Sequence, residues 1–378
     1  MVSIGALAVV ISAAYFVAAL AVLIGIHRST PASASRSVPP FVSVVVAARN
    51  EEYTLPNLLS TLQTQDYPPE QWEIVVVDDR STDHTSAIVA QWQSTEPHLR
   101  LVRIDRPSST LGGKQHALAV AIEQCRGEII LMTDADCVVP STWVRSMAAP
   151  FADERVGIVT GMVRLPSRDS LWVHLQRADL AHLLAVEWGA IGLGIPISVI
   201  GNNLAIRCST YNEIGGYAAL NPTIVEDCAI LQRTIRSRQW RVVIAGSEAT
   251  ITTEPVTTVR AFLRQRARWS TGAYLVTRAQ LAFLVAVFSQ RIATLASTVL
   301  AIIGTIPAGW AIVAWGLWMG GDALVISRYA QTTCQRRLVF LAPLVTVWQA
   351  IYQPIAGLWA LLLPGTISWK GWRRRSNR

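Results

Sequence analysis

The first 26 residues contain no Asp, Glu, Lys or Arg, and this run constrains the chain more than any other feature. About 20 consecutive apolar residues suffice to span a bilayer as a helix, so residues 1–27 read as a transmembrane anchor. The competing reading is a cleavable signal peptide, with Ala32, Ser33 and Ala34 resembling a cleavage site. A signal peptide carries its positive charge ahead of the apolar run, whereas Arg28 and Arg36 follow it here. That order favours an uncleaved anchor, N-terminus outside and residue 28 onward in the cytoplasm.

A second apolar region covers residues 281–365, where Asp322 is the only acidic residue. Seven of the 14 tryptophans fall in 310–372, as expected of rings anchoring at a bilayer interface. Ile292–Gly320 reads either as one tilted helix or as a hairpin broken at Pro307, and Leu338–Leu363 as a further span. The tail, residues 366–378, contains WKGWRRRSNR with five basic residues and is expected in the cytoplasm. An even number of crossings, two being simplest, then separates it from the central domain, although this leaves Arg328, Arg336 and Arg337 outside. The expected location is the cell (inner) membrane, multi-pass.

The composition agrees: 51% of the 378 residues are hydrophobic and only 15% charged, which excludes a disordered chain. The net charge of +8 fits basic loops facing anionic lipid, and no long basic stripe supports nucleic-acid binding. The five cysteines include no C-x-x-C pair, arguing against a zinc site or disulfide framework.

Between these ends, after a Pro/Ser-rich linker within 28–41, residues 42–255 have ordinary globular composition. Strand-like runs at Val42–Ala48, Glu73–Val77, Leu99–Ile104 and Ile129–Thr133 alternate with helical patterns near 54–65, 82–94 and 113–125. This alternation predicts an α/β, doubly wound, mostly parallel sheet, whose ligands bind at the carboxyl ends of its strands.

Those ends are acidic. VSVVVAARNEE (42–52) runs from a strand into Arg49, Asn50, Glu51 and Glu52. EIVVVDDRSTDHT (73–85) places Asp78 and Asp79 at a strand end, with Ser81 and Asp83 free to cap the next helix. EIILMTDADC (128–137) presents Asp134 and Asp136 with one residue between them, a spacing that can aim two carboxylates at one hard cation such as Mg2+ or Mn2+. Asp227, before the helical AILQRTIRSR, is either a carboxylate at a helix N-terminus or a general base. In QRARW (265–269), Gln265 and Trp269 share a helical face beside Arg264 and Arg268; a basic helix at the membrane surface is the alternative for residues 256–280. Trp172, Leu175, Leu183 and Trp188 give 168–195 an amphipathic look, either core or membrane-facing. GGKQ (112–115) is not a phosphate-binding loop of the Walker type, and GLGIPIS (192–198) lacks the third glycine of a dinucleotide fingerprint.

Together AARNEE, DDRSTD, GGKQHAL, TDADC, GNNLAIR, GGY, VED and QRARW resemble the membrane-bound family 2 glycosyltransferases of GT-A fold, a group that includes ceramide and chlorobactene-type glucosyltransferases. Trp369-Lys370-Gly371 is similar to the tail motif of a lipid-glycosylating subset. The resemblance implies an inverting hexosyltransferase moving sugar from a nucleotide-diphosphate sugar, expected to be a UDP-sugar, to a membrane lipid or glycan acceptor. It implies nucleotide-sugar contacts from Arg49, Glu51, Asp79, Lys114 and Asp134, and a Mg2+ or Mn2+ ion on Asp134 and Asp136, with Asp136 as direct ligand. Asp227 would be the base, and Gln265, Arg268 and Trp269 would close over diphosphate and acceptor. A processive polysaccharide synthase is the alternative enzyme, but Val225 stands where such synthases typically carry Thr. A catalytically silent binding or assembly protein is the non-enzyme alternative.

Overall fold

The computed structural model describes residues 2–29, 38–275, 277–333, 335–369 and 372–373. Most of the linker and basic tail, Cys334, and Lys370 and Gly371 of the tail motif lie outside the described residues. In chain order come α1 (Val2–Arg28), β1 (Val42–Ala48), α2 (Leu55–Leu62), β2 (Trp72–Asp79), α3 (Thr85–Gln93), β3 (Leu99–Ile104), α4 (Gly113–Glu123), β4 (Ile129–Asp134), β5 (Cys137–Val138) and α5 (Trp143–Ala148). There follow β6 (Val156–Thr160), β7 (Val163–Arg164), α6 (Leu171–Gly192), β8 (Asn203–Arg207), α7 (Cys208–Glu213), α8 (Glu226–Ser237), β9 (Arg241–Ile244) and β10 (Ile251–Thr253). The chain continues with α9 (Val259–Ser270), α10 (Arg278–Ile302), α11 (Ala308–Thr332), α12 (Ala342–Leu362), β11 (Ser368–Trp369) and β12 (Trp372–Arg373).

Two compact units form. The sheet unit takes residues 30–166, 198–255 and 363–378. Its seven strands run in the order β3-β2-β1-β4-β8-β6-β9. β8 pairs antiparallel with β4 and β6, and the other neighbours pair parallel. β1 and β2 are buried along their whole length, because helices cover both faces of such a sheet and favour Val and Ile on both. α2 buries Leu55, Leu58, Leu59 and Leu62, one helical stripe, and begins with a proline in its first turn, where no hydrogen bond is lost. The four strands expected between 42 and 134 are present. The pairing of β8, β6 and β9 with them adds the antiparallel element.

The helical unit takes residues 1–29, 167–197 and 256–362. Among the described residues, four helical stretches are long and apolar enough to cross a membrane: Ile4–Arg28, Val285–Ile302, Ala308–Thr332 and Arg336–Leu362. Between α10 and α11 the chain turns at Gly304, with φ of 73°, and Pro307, so the hairpin reading of Ile292–Gly320 holds. Three candidate spans therefore follow the QRARW motif, where two were the simplest expectation.

α1 crosses α6 at backbone contact. A methyl group added at Gly192 would lie 1.9 Å from the Gly25 carbonyl oxygen, and one at Gly25 would lie 2.0 Å from that of Gly189. Small residues permit such close helix packing in an apolar environment. α6 is not a surface amphipathic helix. Asp179, His182, Glu187 and Trp188 are all buried, while Trp172, Leu175 and Leu183 are partly buried. Asp322 of α11 is buried as well: the Tyr15 hydroxyl of α1 and the Thr346 hydroxyl of α12 donate to it, the latter at 2.7 Å. His182 Nε2 lies 3.2 Å from its carboxylate.

Candidate active site

The parallel register sets Ala48 of β1 beside Asp78 of β2, and Ala47 beside Asp134 of β4. Three strand ends thus open along one edge, where the strand order reverses between β1 and β4. Ligands of open α/β sheets bind at such switch points. β1 leaves through Asn50 and β2 through Arg80, both left-handed with φ of 55° and 59°. Non-glycine residues adopt this conformation rarely, and mostly where surrounding contacts fix it. Here the two loops are cross-linked. The Asn50 N–H donates to Ser81 Oγ at 3.0 Å, the Thr82 N–H to Asn50 Oδ1 at 2.8 Å, and the Glu51 N–H to Thr85 Oγ1 at 2.8 Å.

The two aspartates ending β2 do different things. Asp78 accepts from the Ser81 N–H at 2.9 Å and from the Ser86 hydroxyl, so it shapes its own turn. Asp79, also buried, accepts a fork from Arg80 Nε (2.7 Å) and Nη2 (3.1 Å), with Arg49 Nη1 at 3.7 Å. Arg80 was not singled out in the sequence. Asp83 accepts from the Thr85 N–H at 3.0 Å, which covers the start of α3 as a cap would.

Beyond β4, burial and then repulsion from Asp134 and Glu51 push the Asp136 carboxyl up to about 6. Carboxylates crowded in this way favour a bound cation. Among the described residues, no three His, Cys, Asp or Glu side chains form a cage for a metal ion. Two aspartates with open positions instead suit an ion that completes its shell with water and substrate phosphate, as Mg2+ does.

Lys114 Nζ sits 2.6 Å from Asp134 and 3.0 Å from Glu226. Burial alone would lower its ammonium pKa, but these carboxylates outweigh burial and raise it. The bridge brings the start of α8, Glu226 and Asp227, to the end of β4. Gln115, next to Lys114, fixes the loop leading there. Its Nε2 donates to the Tyr217 and Asn221 carbonyls at 3.2 and 3.3 Å, and its Oε1 accepts from the Thr223 N–H at 3.1 Å. Glycine backs Asp227: a Cβ at Gly201 would lie 2.8 Å from Asp227 Oδ2. Glu226 and Gln115 went unassigned in the sequence, although both lie inside motifs it singled out.

Gln265, Arg268 and Trp269 are partly buried on α9, in the helical unit. α9 is not simply a basic surface helix, because the intervening Arg266 points inward and is buried against Asp179 at 2.7 Å.

A doubly wound sheet with acidic strand ends and one reversed strand is the core of a GT-A glycosyltransferase. The structure of mannosyltransferase PcManGT from Pyrobaculum calidifontis, in complex with GDP-Man and Mn2+, shares this fold. It matches with a TM-score of 0.59 and 22% identity, over 92% of this chain and 99% of that one. The chain belongs to Glycosyl transferase family 21, whose profile matches residues 5–376. The resemblance drawn above was to family 2 enzymes; the glycosyltransferase identity and GT-A fold that it implied stand. The chain is 30% identical to a beta-monoglucosyldiacylglycerol synthase of Nostoc over 68% of its length, and 31% identical to that of Synechocystis over 62%. These matches cover 56% and 48% of the two relatives, so the chain spans about half their length.

Proposed function

We propose that this protein is a membrane-bound inverting hexosyltransferase that moves a sugar from a nucleoside-diphosphate donor, a UDP-sugar, to the hydroxyl of a diacylglycerol-type lipid. The convergence of Asp79, Asp134, Asp136, Lys114 and the Asp227 turn at one sheet edge carries this reading. The names of the Nostoc and Synechocystis relatives describe a β-glucosyl diacylglycerol product. A β-glucoside is what one displacement on an α-linked donor yields.

In this scheme Asp79, with the Arg49–Glu51 loop, holds the nucleoside, and Lys114 balances charge near the diphosphate. Asp134 and Asp136 hold a divalent cation, Mg2+ or Mn2+, with Asp136 the direct ligand. Bound there, the ion would stabilise the negative charge of the leaving diphosphate. Asp227 takes the acceptor hydroxyl proton as the oxygen–anomeric carbon bond forms and the carbon–phosphate oxygen bond breaks. The diphosphate leaves with the bonding pair, its charge balanced by Arg268; Gln265 and Trp269 contact the acceptor. This assignment needs no covalent intermediate.

The expected location is the cell membrane, with the sheet unit cytoplasmic. Residues 363–369, just past α12, group with the sheet unit, which supports a cytoplasmic C-terminal end. Two of the three candidate helices after the QRARW motif then cross fully, and one does not. Impermeant labelling of a cysteine introduced near Asn377 in intact cells tests this, and strong labelling overturns it. The activity test incubates purified membranes with radiolabelled nucleotide sugars and dioleoylglycerol. Label in the organic phase, lost in Asp136→Asn, is expected; label in an insoluble polymer would favour the synthase alternative.

A further inference from the structure

We propose that Asp179 and Arg266 form a buried positioning pair for the catalytic face of α9, acting through Gln265 and Trp269; the inference rests on the function proposed above. Arg266 is 6% exposed and Asp179 fully buried. The guanidinium donates to Asp179 Oδ2 from Nε (3.1 Å) and Nη2 (2.7 Å), and its remaining arm, Nη1, donates to Gln265 Oε1 at 2.8 Å. Its carbon sits 4.2 Å from the Trp269 ring centroid and 4.4 Å from that of Phe262. One cation therefore holds two of the three α9 side chains assigned to the reaction.

Asp179 is anchored in turn. Its Oδ1 accepts from the Tyr352 hydroxyl at 2.7 Å and from Gln349 Nε2 at 2.9 Å, both on α12. A carboxylate with four donors cannot rotate without breaking several of them, so it presents Arg266 in one orientation. Buried ion pairs add little net stability compared with an apolar pair of similar shape. Their use for holding one geometry is better supported, and a planar fork that also stacks on aromatic rings is something lysine cannot reproduce. α6 supplies the acid and α12 its supports, so the placement of Trp269 depends on both helices.

The test separates holding from folding. Asp179→Asn with Arg266→Met removes both charges while keeping volume, and is expected to unfold near the wild-type temperature. Its kcat for transfer from a nucleotide sugar to dioleoylglycerol should nevertheless fall roughly 10- to 100-fold, the loss expected of reacting groups misplaced by about 1 Å. Donor affinity should stay within a few-fold. Arg266→Lys, which keeps the charge, should show the same split between kcat and donor affinity. In a Trp269→Ala background Arg266→Lys should cost much less than in the wild type. A double variant or an Arg266→Lys protein that folds and turns over at the wild-type rate overturns the proposal, as does full additivity with Trp269→Ala. Absence of any transfer by the wild type would overturn the parent reading, and this one with it.

Discussion

Replacing Lys114 by Met keeps most of the side-chain volume and deletes one charge. Lys114 is 12% exposed and joins Asp134, 37% exposed, to Glu226, 7% exposed. Removing one partner of a buried pair costs about 3–5 kcal/mol, because the remaining charge stays buried and uncompensated. Water reaches Asp134, so the lower end, about 3 kcal/mol, applies. For a unit of this size that lowers the unfolding midpoint by roughly 6–12 °C. The substitution also leaves Asp134, Asp136 and Glu226 without their shared cation. Added Mn2+ should therefore stabilise Lys114→Met more than the wild type, although the variant transfers sugar poorly. Paired thermal scans of detergent-purified wild type and variant, with and without 1 mM Mn2+ (roughly a tenfold excess over about 0.1 mM protein), check this. A midpoint within about 2 °C of wild type, or an equal Mn2+ shift in both proteins, would refute the reasoning.

Asp227→Asn keeps the shape of the α8 start and should cut the transfer rate by about 100- to 10,000-fold with donor affinity nearly unchanged; a rate within a few-fold of wild type returns Asp227 to the status of a helix-end residue. The raised carboxyl of Asp136, about 6 when folded, gives a signed pH dependence. Stability from its neutral form is complete below about pH 4, its unfolded range, and is lost as the pH rises through about 6. Mn2+ needs the carboxylate, so its affinity, read by calorimetry, should fall up to about tenfold per pH unit below 6; a flat profile from pH 5 to 7 would contradict the assignment. Gly192→Leu has no room against the Gly25 carbonyl and should release α1 from α6, visible as protease sensitivity in the helical unit.

The strand ends were legible because an apolar run that stops at acids is a local pattern, and β1, β2 and β4 carry it within a few residues. Their lateral order was not, because pairing β8 between β4 and β6 is a non-local choice that periodicity does not encode. At the site, Asp79, Asp134, Asp136 and Lys114 can be named from motifs, whereas Glu226 reads in the sequence only as a neighbour of Asp227, because its contact with Lys114 is set by the fold. Arg266 illustrates the limit more sharply. Its partner Asp179 is far away in sequence, inside a segment read as amphipathic from four apolar residues. One signal was available: an acid inside an apolar helix usually has a buried partner.

The cluster around Asp322 sets an order of events during synthesis. At about 5–20 residues per second, α1 waits on the order of ten seconds before α6 is made, and longer for α11. In the multi-pass arrangement proposed above, α11 enters an apolar phase carrying a carboxylate, which costs about 2.5–3.5 kcal/mol at the middle of a lone helix. Tyr15 and His182 have already been synthesised by then, while Thr346 has not. The first helix of the chain thus serves as a partner that admits a late one, and removing α1 should impair insertion of α11 before it affects any chemistry.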